Sequence, residues 1–174
     1  MKKNTVFLWG FMGSGKTSLG ERLSEELNFH FVDLDAFISE RESCSISDIF
    51  EVHGESYFRE LEGICIKELS AATDPMVIAC GGGTPCFNDL AQYMLDKGLC
   101  LYIKCTNQTL IRRLKGAREK RPLIKDFSTD EMSLWMDDLL LNRNEIYRLA
   151  HFIIENNNGE DIAVKEMKNV ILNS

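Results

Sequence analysis

Residues Gly10-Phe11-Met12-Gly13-Ser14-Gly15-Lys16-Thr17 match G-x-x-x-x-G-K-[ST], the pattern of a phosphate-binding loop. That pattern carries weight only between a strand and a helix, and both flanks comply. Upstream, Thr5-Val6-Phe7-Leu8-Trp9 is the short apolar run of a strand buried on both faces. Downstream, Leu19, Leu23 and Leu27 recur at a spacing of four, which predicts a helix from about Gly15 to Leu27, and Phe29-His30-Phe31-Val32 then reads as a second strand. The glycines let successive backbone N–H groups turn inward around phosphates with no Cβ in the way, and the helix N-terminus adds a favourable dipole. Gly13, Ser14, Gly15 and Ser18 are therefore expected around the nucleotide, Lys16 on its β and γ phosphates, and Thr17 on a Mg²⁺ ion that also bridges nucleotide oxygens. The alternative, an ordinary glycine-rich turn, would match all four fixed positions by chance in under about 1% of chains of this size.

The alternation of strand and helix continues. Tyr57 to Ala72 places Phe58, Leu61, Cys65 and Leu69 on one helical face, and Met76-Val77-Ile78-Ala79-Cys80 and Leu99-Cys100-Leu101-Tyr102-Ile103 read as buried strands with a helix at Asp89 to Asp96 between them. Ser128-Thr129-Asp130-Glu131 fits a capping box that opens a longer helix with Met132, Trp135, Met136, Leu139 and Leu140 on its buried side. His151-Phe152-Ile153-Ile154 predicts a fifth strand, and a last helix carries Ile162, Ala163, Met167, Val170 and Ile171 inward. Five apolar strands separated by helices predict an α/β fold with a parallel sheet flanked by helices on both faces, and ligands at the carboxyl ends of the strands.

The chain has 174 residues, enough for one core, with 44% apolar and 27% charged residues as in an ordinary globular domain. A formal charge of -7 argues against a nucleic-acid binder, and no run is long and apolar enough to suggest a membrane span. One basic segment, Arg112 to Lys125, stands out in this acidic chain and suits a small phosphorylated ligand. The six cysteines form no C-x-x-C pair and read as reduced thiols, and the first residues lack the pattern of a secretory signal, so the expected location is the cytoplasm.

A phosphate loop identifies only the nucleotide, so the second substrate must be sought elsewhere. Asp33 and Asp35 follow the second strand and point the same way if the backbone stays extended; the competing reading makes Asp35 a helix N-cap. Arg59 and Glu62 lie three apart on a helix, where a surface ion pair is the default. Gly81-Gly82-Gly83 follows a strand and allows a ligand close approach, or is a flexible turn. Arg121-Pro122-Leu123 sits in the basic segment, which is otherwise a solvated charge run.

In this order the motifs resemble one family, shikimate kinase. The resemblance runs from the phosphate loop through Phe31-x-Asp33-x-Asp35, Ile46-Ser47-Asp48-Ile49-Phe50, Gly54-Glu55-x-x-Phe58-Arg59-x-x-Glu62, the triple glycine and Arg121-Pro122-Leu123 to Arg143-x-x-x-Tyr147-Arg148. It implies a single P-loop kinase domain over residues 1–174, with a substrate-binding region at about 33–62 and a mobile lid at about 114–127. The implied reaction transfers the γ-phosphoryl group of ATP to the 3-hydroxyl of shikimate, on the route to chorismate and the aromatic amino acids. Mg²⁺ is the implied cofactor, ATP and shikimate are the implied partners, and the chain is expected to work as a monomer.

By the same resemblance Asp35 holds the substrate hydroxyls, Asp33 positions Mg²⁺ through water, and Arg59, Gly82 and Arg143 bind shikimate, the two arginines on its carboxylate. The chemistry agrees, since a guanidinium fork suits a carboxylate and a glycine can offer its N–H where a side chain would obstruct. Lys16, Asp35 and Arg121 form the implied catalytic set, with orientation as the role of Asp35 because a loose phosphoryl-transfer transition state needs little early deprotonation. Arg121 closes on the phosphates, Arg113 and Arg118 are both candidates for a nucleotide contact, and Phe50, Phe58 and Pro122 form an apolar wall or, for the phenylalanines, plain core. Thr84-Pro85-Cys86 departs from the small apolar residues expected after the glycines, and the turn at Asn156 to Gly159 shows no counterpart of the family's adenine contact. Another small-molecule P-loop kinase is the nearest rival; a GTP switch would need an Asn-Lys-x-Asp segment, which the sequence lacks. A non-catalytic protein of this fold would be expected to have lost Lys16, Asp35 or an arginine.

Overall fold

Five strands, Thr5–Trp9 (β1), His30–Asp33 (β2), Met76–Ala79 (β3), Leu99–Lys104 (β4) and Phe152–Glu155 (β5), form one sheet in the order β2-β3-β1-β4-β5, with every neighbouring pair parallel. The computed structural model describes residues 4–116 and 127–174. Within them the helices are Lys16–Leu27 (α1), Leu34–Glu42 (α2), Ile46–Ser70 (α3), Leu90–Lys97 (α4), Asn107–Gly116 (α5), Thr129–Tyr147 (α6) and Glu160–Leu172 (α7), with a short 3₁₀ turn at Thr84–Cys86.

Alternation along the strands feeds two cores. Val6 and Leu8 of β1 pack with Leu19 and Leu23 of α1 and with Ala163, Val164 and Met167 of α7, whereas Phe7 and Trp9 face the opposite layer with Leu34, Ile38, Phe58, Met132 and Met136. Both faces of β1 are thereby buried, as its unbroken apolar run requires. The chain leaves β1 in one direction to reach β2 and, after β3, crosses to the other side for β4. The resulting crevice lies at the carboxyl end of β1, where the glycine-rich loop emerges.

All five expected strands are present, and Ser128 caps α6 through its side chain to Glu131 N while Glu131 returns a bond to Ser128 N. Other expectations need correction. Ile162 is 58% exposed, since α7 turns Ala163, Val164 and Met167 inward instead. The helix expected from Tyr57 starts at Ile46 and is broken at Gly54 (φ 80°). Part of the basic segment is helical: α5 buries Thr109, Leu110 and Leu114 beneath its arginines. Of the segment expected to form a lid, Leu114–Gly116 close α5, Phe127 lies edge-on to Trp135 with ring centroids 5.8 Å apart, and residues 117–126, with Arg118, Arg121 and Pro122, lie outside the described residues. Among the described residues no helix is long and apolar enough to cross a membrane.

Candidate active site

The loop after β1 is held open by glycines and held in place from outside. Gly13 and Gly15 have φ of 80° and 97°, a region that L side chains rarely enter, and a Cβ on Gly15 would also lie 2.7 Å from Asn156 Nδ2. Asn156, fully buried just past β5, donates to Ser14 O at 2.8 Å, and Arg113 from α5 donates to Ser14 O and Asn156 O at 3.1 Å and to Gly13 O at 3.3 Å. Carbonyls on the outer side of the loop are thus taken up, which fixes its shape.

Inside the loop a cavity of about 380 Å³ is lined by Gly13, Gly15, Lys16, Thr17, Ser18, Asp33, Asp35, Gly81, Gly82 and Arg113, among others. Lys16 Nζ donates to Gly10 O at 2.8 Å and Phe11 O at 3.1 Å, so its ammonium stays at the loop's edge. The Ser18 hydroxyl lines the same space but donates to Glu160 at 2.8 Å. Ser14 does not line it; the residue faces a separate cavity of about 210 Å³ with Tyr102 and Cys105, and only its backbone belongs to the loop.

Asp33 and Asp35 converge on the cavity, though not by the extended backbone expected of them. The chain turns helical at Leu34, and Asp33 rather than Asp35 is the N-cap: Oδ1 of Asp33 accepts from Asp35 N at 3.1 Å and Ala36 N at 3.2 Å. Its other oxygen accepts from Thr17 Oγ1 at 2.8 Å. This hydroxyl–carboxylate pair next to Lys16 is an all-oxygen donor set, which fits a hard Mg²⁺ ion that keeps most of its waters and takes the rest of its ligands from phosphate. No cluster of three or more His, Cys, Asp or Glu able to hold a metal occurs among the described residues.

The triple glycine is explained by crowding. A Cβ on Gly81 would lie 2.6 Å from Glu62 Oε1, one on Gly82 3.3 Å from an Arg143 nitrogen, and one on Gly83 2.5 Å from an Arg59 nitrogen. Three charged side chains therefore rest directly on the backbone that follows β3. A second cavity, of about 370 Å³, reaches the same segment at Gly83 and is lined by Glu55, Ser56, Arg59, Gly83, Cys86, Phe87 and Arg143.

Arg59 and Glu62 are no surface pair. Arg59 Nη1 donates to Glu62 Oε2 at 2.6 Å, and the Glu62 side chain is 0% exposed. Burial pushes the Glu62 carboxyl up and the Arg59 charge only partly counters it. Burial also works against the Arg59 guanidinium, but Glu62 and Glu55 more than offset this and hold it charged. Arg143 from α6 sits over the Phe11 ring at 5.9 Å, and Tyr147, one helical turn on, donates to Gly82 O. Phe58 is 3% exposed and serves as core under the Arg59 guanidinium, 5.3 Å from its ring, with Phe50 stacked beside it; neither ring lines the two cavities.

Sequence reading missed three contributors. Asn156 had a positional signal, since it directly follows a strand at the carboxyl edge. Thr84 and the Glu62 side chain it bonds had only their place beside the glycines and in a helix, which does not reveal that they meet. The bond from Tyr147 to Gly82 likewise joins elements distant in sequence.

A family model described as shikimate kinase matches residues 12–172. A shikimate kinase of Azobacteroides pseudotrichonymphae is 39% identical over 148 residues, covering 85% of this chain and 87% of the relative. Among solved structures, shikimate kinase from Bacteroides thetaiotaomicron superposes with a TM-score of 0.91 at 31% identity, covering 97% of this chain and 98% of the other. Shikimate kinase from Acinetobacter baumannii, in complex with shikimate, gives a TM-score of 0.85 at 32% identity, covering 98% and 94%.

Proposed function

The chain belongs to the shikimate kinase family, and on that premise we propose that it transfers the γ-phosphoryl group of ATP to the 3-hydroxyl of shikimate. The observation that carries this reading is that the three glycines after β3 line two cavities, Gly81 and Gly82 the first and Gly83 the second. Lys16, Thr17, Asp33 and Asp35 line the first, and Arg59 and Arg143 the second. A donor phosphate and a small anionic acceptor are thereby held edge to edge, and such alignment is the larger part of catalysis when the transition state is loose.

In this reading Gly13, Ser14 and Gly15 cradle the phosphates by their backbone, Ser18 and Arg113 border the nucleotide, and Lys16 swings from the loop carbonyls to the β and γ phosphates. Thr17 and Asp33 hold Mg²⁺, which when bound supplies charge neutralisation across the phosphates. Asp35 orients the acceptor hydroxyl, Arg59 and Arg143 grip the carboxylate, and the Gly82 backbone closes the site between them. Arg121, outside the described residues, adds positive charge at the transferring group. The chain is read as working as a monomer, and its six free thiols support a reducing compartment such as the cytoplasm.

The test is ADP release from ATP and Mg²⁺ by the purified protein with shikimate, gluconate, nucleoside monophosphates or no acceptor. Release with shikimate alone is expected; release with another acceptor and none with shikimate would overturn the substrate.

A further inference from the structure

Thr84, the residue after the triple glycine, has a hydroxyl that the reaction described above does not use. Its side chain is fully buried and donates to Glu62 Oε1, while the other oxygen of Glu62 accepts from Arg59. One solvent-free carboxylate is therefore held between a hydroxyl from the 3₁₀ turn and a guanidinium one turn away on its own helix. We propose that Thr84 is a positioning residue for the acceptor pocket: it orients Glu62, and Glu62 in turn aims the Arg59 guanidinium at the acceptor's carboxylate. The inference rests on Arg59 holding that carboxylate.

Glu62 needs such a partner because most of its surroundings disfavour its charge. Burial raises its pKa, and Asp35 from α2 acts in the same sense. The Cys80 and Cys86 thiols, which face it from the end of β3 and from the 3₁₀ turn, are themselves pushed up by burial and stay neutral. The Arg59 charge and the hydrogen bonds from Arg59 and the Thr84 hydroxyl favour the carboxylate. Losing the hydroxyl leaves a buried oxygen without its donor, and the carboxyl then takes up a proton at higher pH. A protonated Glu62 loses its charge pair with the guanidinium, which packs against Gly83 and is then held by Glu55 alone of its two carboxylates, at the exposed end.

The test is steady-state kinetics of Thr84→Val and Thr84→Ser across pH, each alone and combined with Arg59→Ala. Thr84→Val is expected to raise KM for shikimate about tenfold at neutral pH, the worth of a hydrogen bond to a charged group. KM for ATP should stay unchanged, and the acid limb of kcat/KM for shikimate should move up by about one pH unit. Thr84→Ser should restore both, and in the Arg59→Ala background Thr84→Val should add nothing. An unchanged acid limb, a serine variant that behaves like valine, or an undiminished effect beside Arg59→Ala would overturn the proposal. If Arg59→Ala alone leaves KM for shikimate unaltered, the assignment of Arg59 fails first. Should Thr84→Val not fold, Thr84→Ala is read by the same criteria, with unchanged KM for ATP as its control.

Discussion

The phosphate loop and the acceptor pocket share the three-glycine segment after β3 but are assembled differently. Just under half of the residues lining the phosphate cavity come from the consecutive stretch 10–18, whose conformation follows from three positive-φ glycines and the start of a helix. The acceptor pocket gathers Arg59 from α3, Gly83 from the turn after β3 and Arg143 from α6, and none of these elements shapes it alone. A site with a large local share fails first through its own residues, although Asn156 and Arg113 also brace the loop. An assembled site fails through its supports, such as Glu62 beneath Arg59 or Tyr147 beneath Gly82.

The sharpest way to break this contrast begins inside the phosphate cavity, which Lys16 and Asp35 both line. Lys16→Met is expected to lower kcat/KM about 10³-fold by impairing phosphate handling itself, and Asp35→Asn to lower kcat by a similar factor while ATP binding persists, since the first removes the charge that meets the transferring phosphate and the second the group that orients the acceptor hydroxyl. Kinetics and nucleotide titration check both, and an Asp35→Asn enzyme with near-normal turnover would break the division of labour. Next in size, Gly83→Ala drives a Cβ into the Arg59 guanidinium and should raise KM for shikimate about tenfold with KM for ATP unchanged, the loss of one charge-assisted contact.

Supports of the assembled pocket should also show in stability. Burial holds the Tyr147 phenol above its ordinary value, so the unfolded chain gives up this proton first. The stability it contributes is present below pH about 10 and falls as pH rises beyond that, at about 1.4 kcal/mol per pH unit until the folded group ionises. Urea unfolding at pH 9 and pH 11 should show a smaller alkaline loss in Tyr147→Phe than in the native chain. Smallest of all, Lys168→Ala removes an exposed pair with Glu26 at 2.9 Å, far from both cavities, and should change stability by less than about 0.5 kcal/mol with kinetics untouched.

The same contrast marks what could be read without a structure. Gly10 to Thr17, all five strands and the capping box at Ser128 announce themselves because their signals are local: spacing, apolar runs and cap chemistry. Helix α5 was hidden because its basic residues mask the apolar period of Leu110 and Leu114. Asp33 was misread because capping depends on where the backbone turns, which two alternating carboxylates do not reveal.

By itself the sequence determined that a loop of the phosphate-binding pattern follows the first strand, that the sheet is parallel, and, through the order of its motifs, which family the chain resembles. Only the tertiary structure decided which side chains meet. Glu62 with Thr84, Asn156 with Ser14 and Tyr147 with Gly82 are brought together by strand order and helix packing. Local backbone preference acts between residues a few positions apart, so contacts across the sheet leave no periodic trace along the chain.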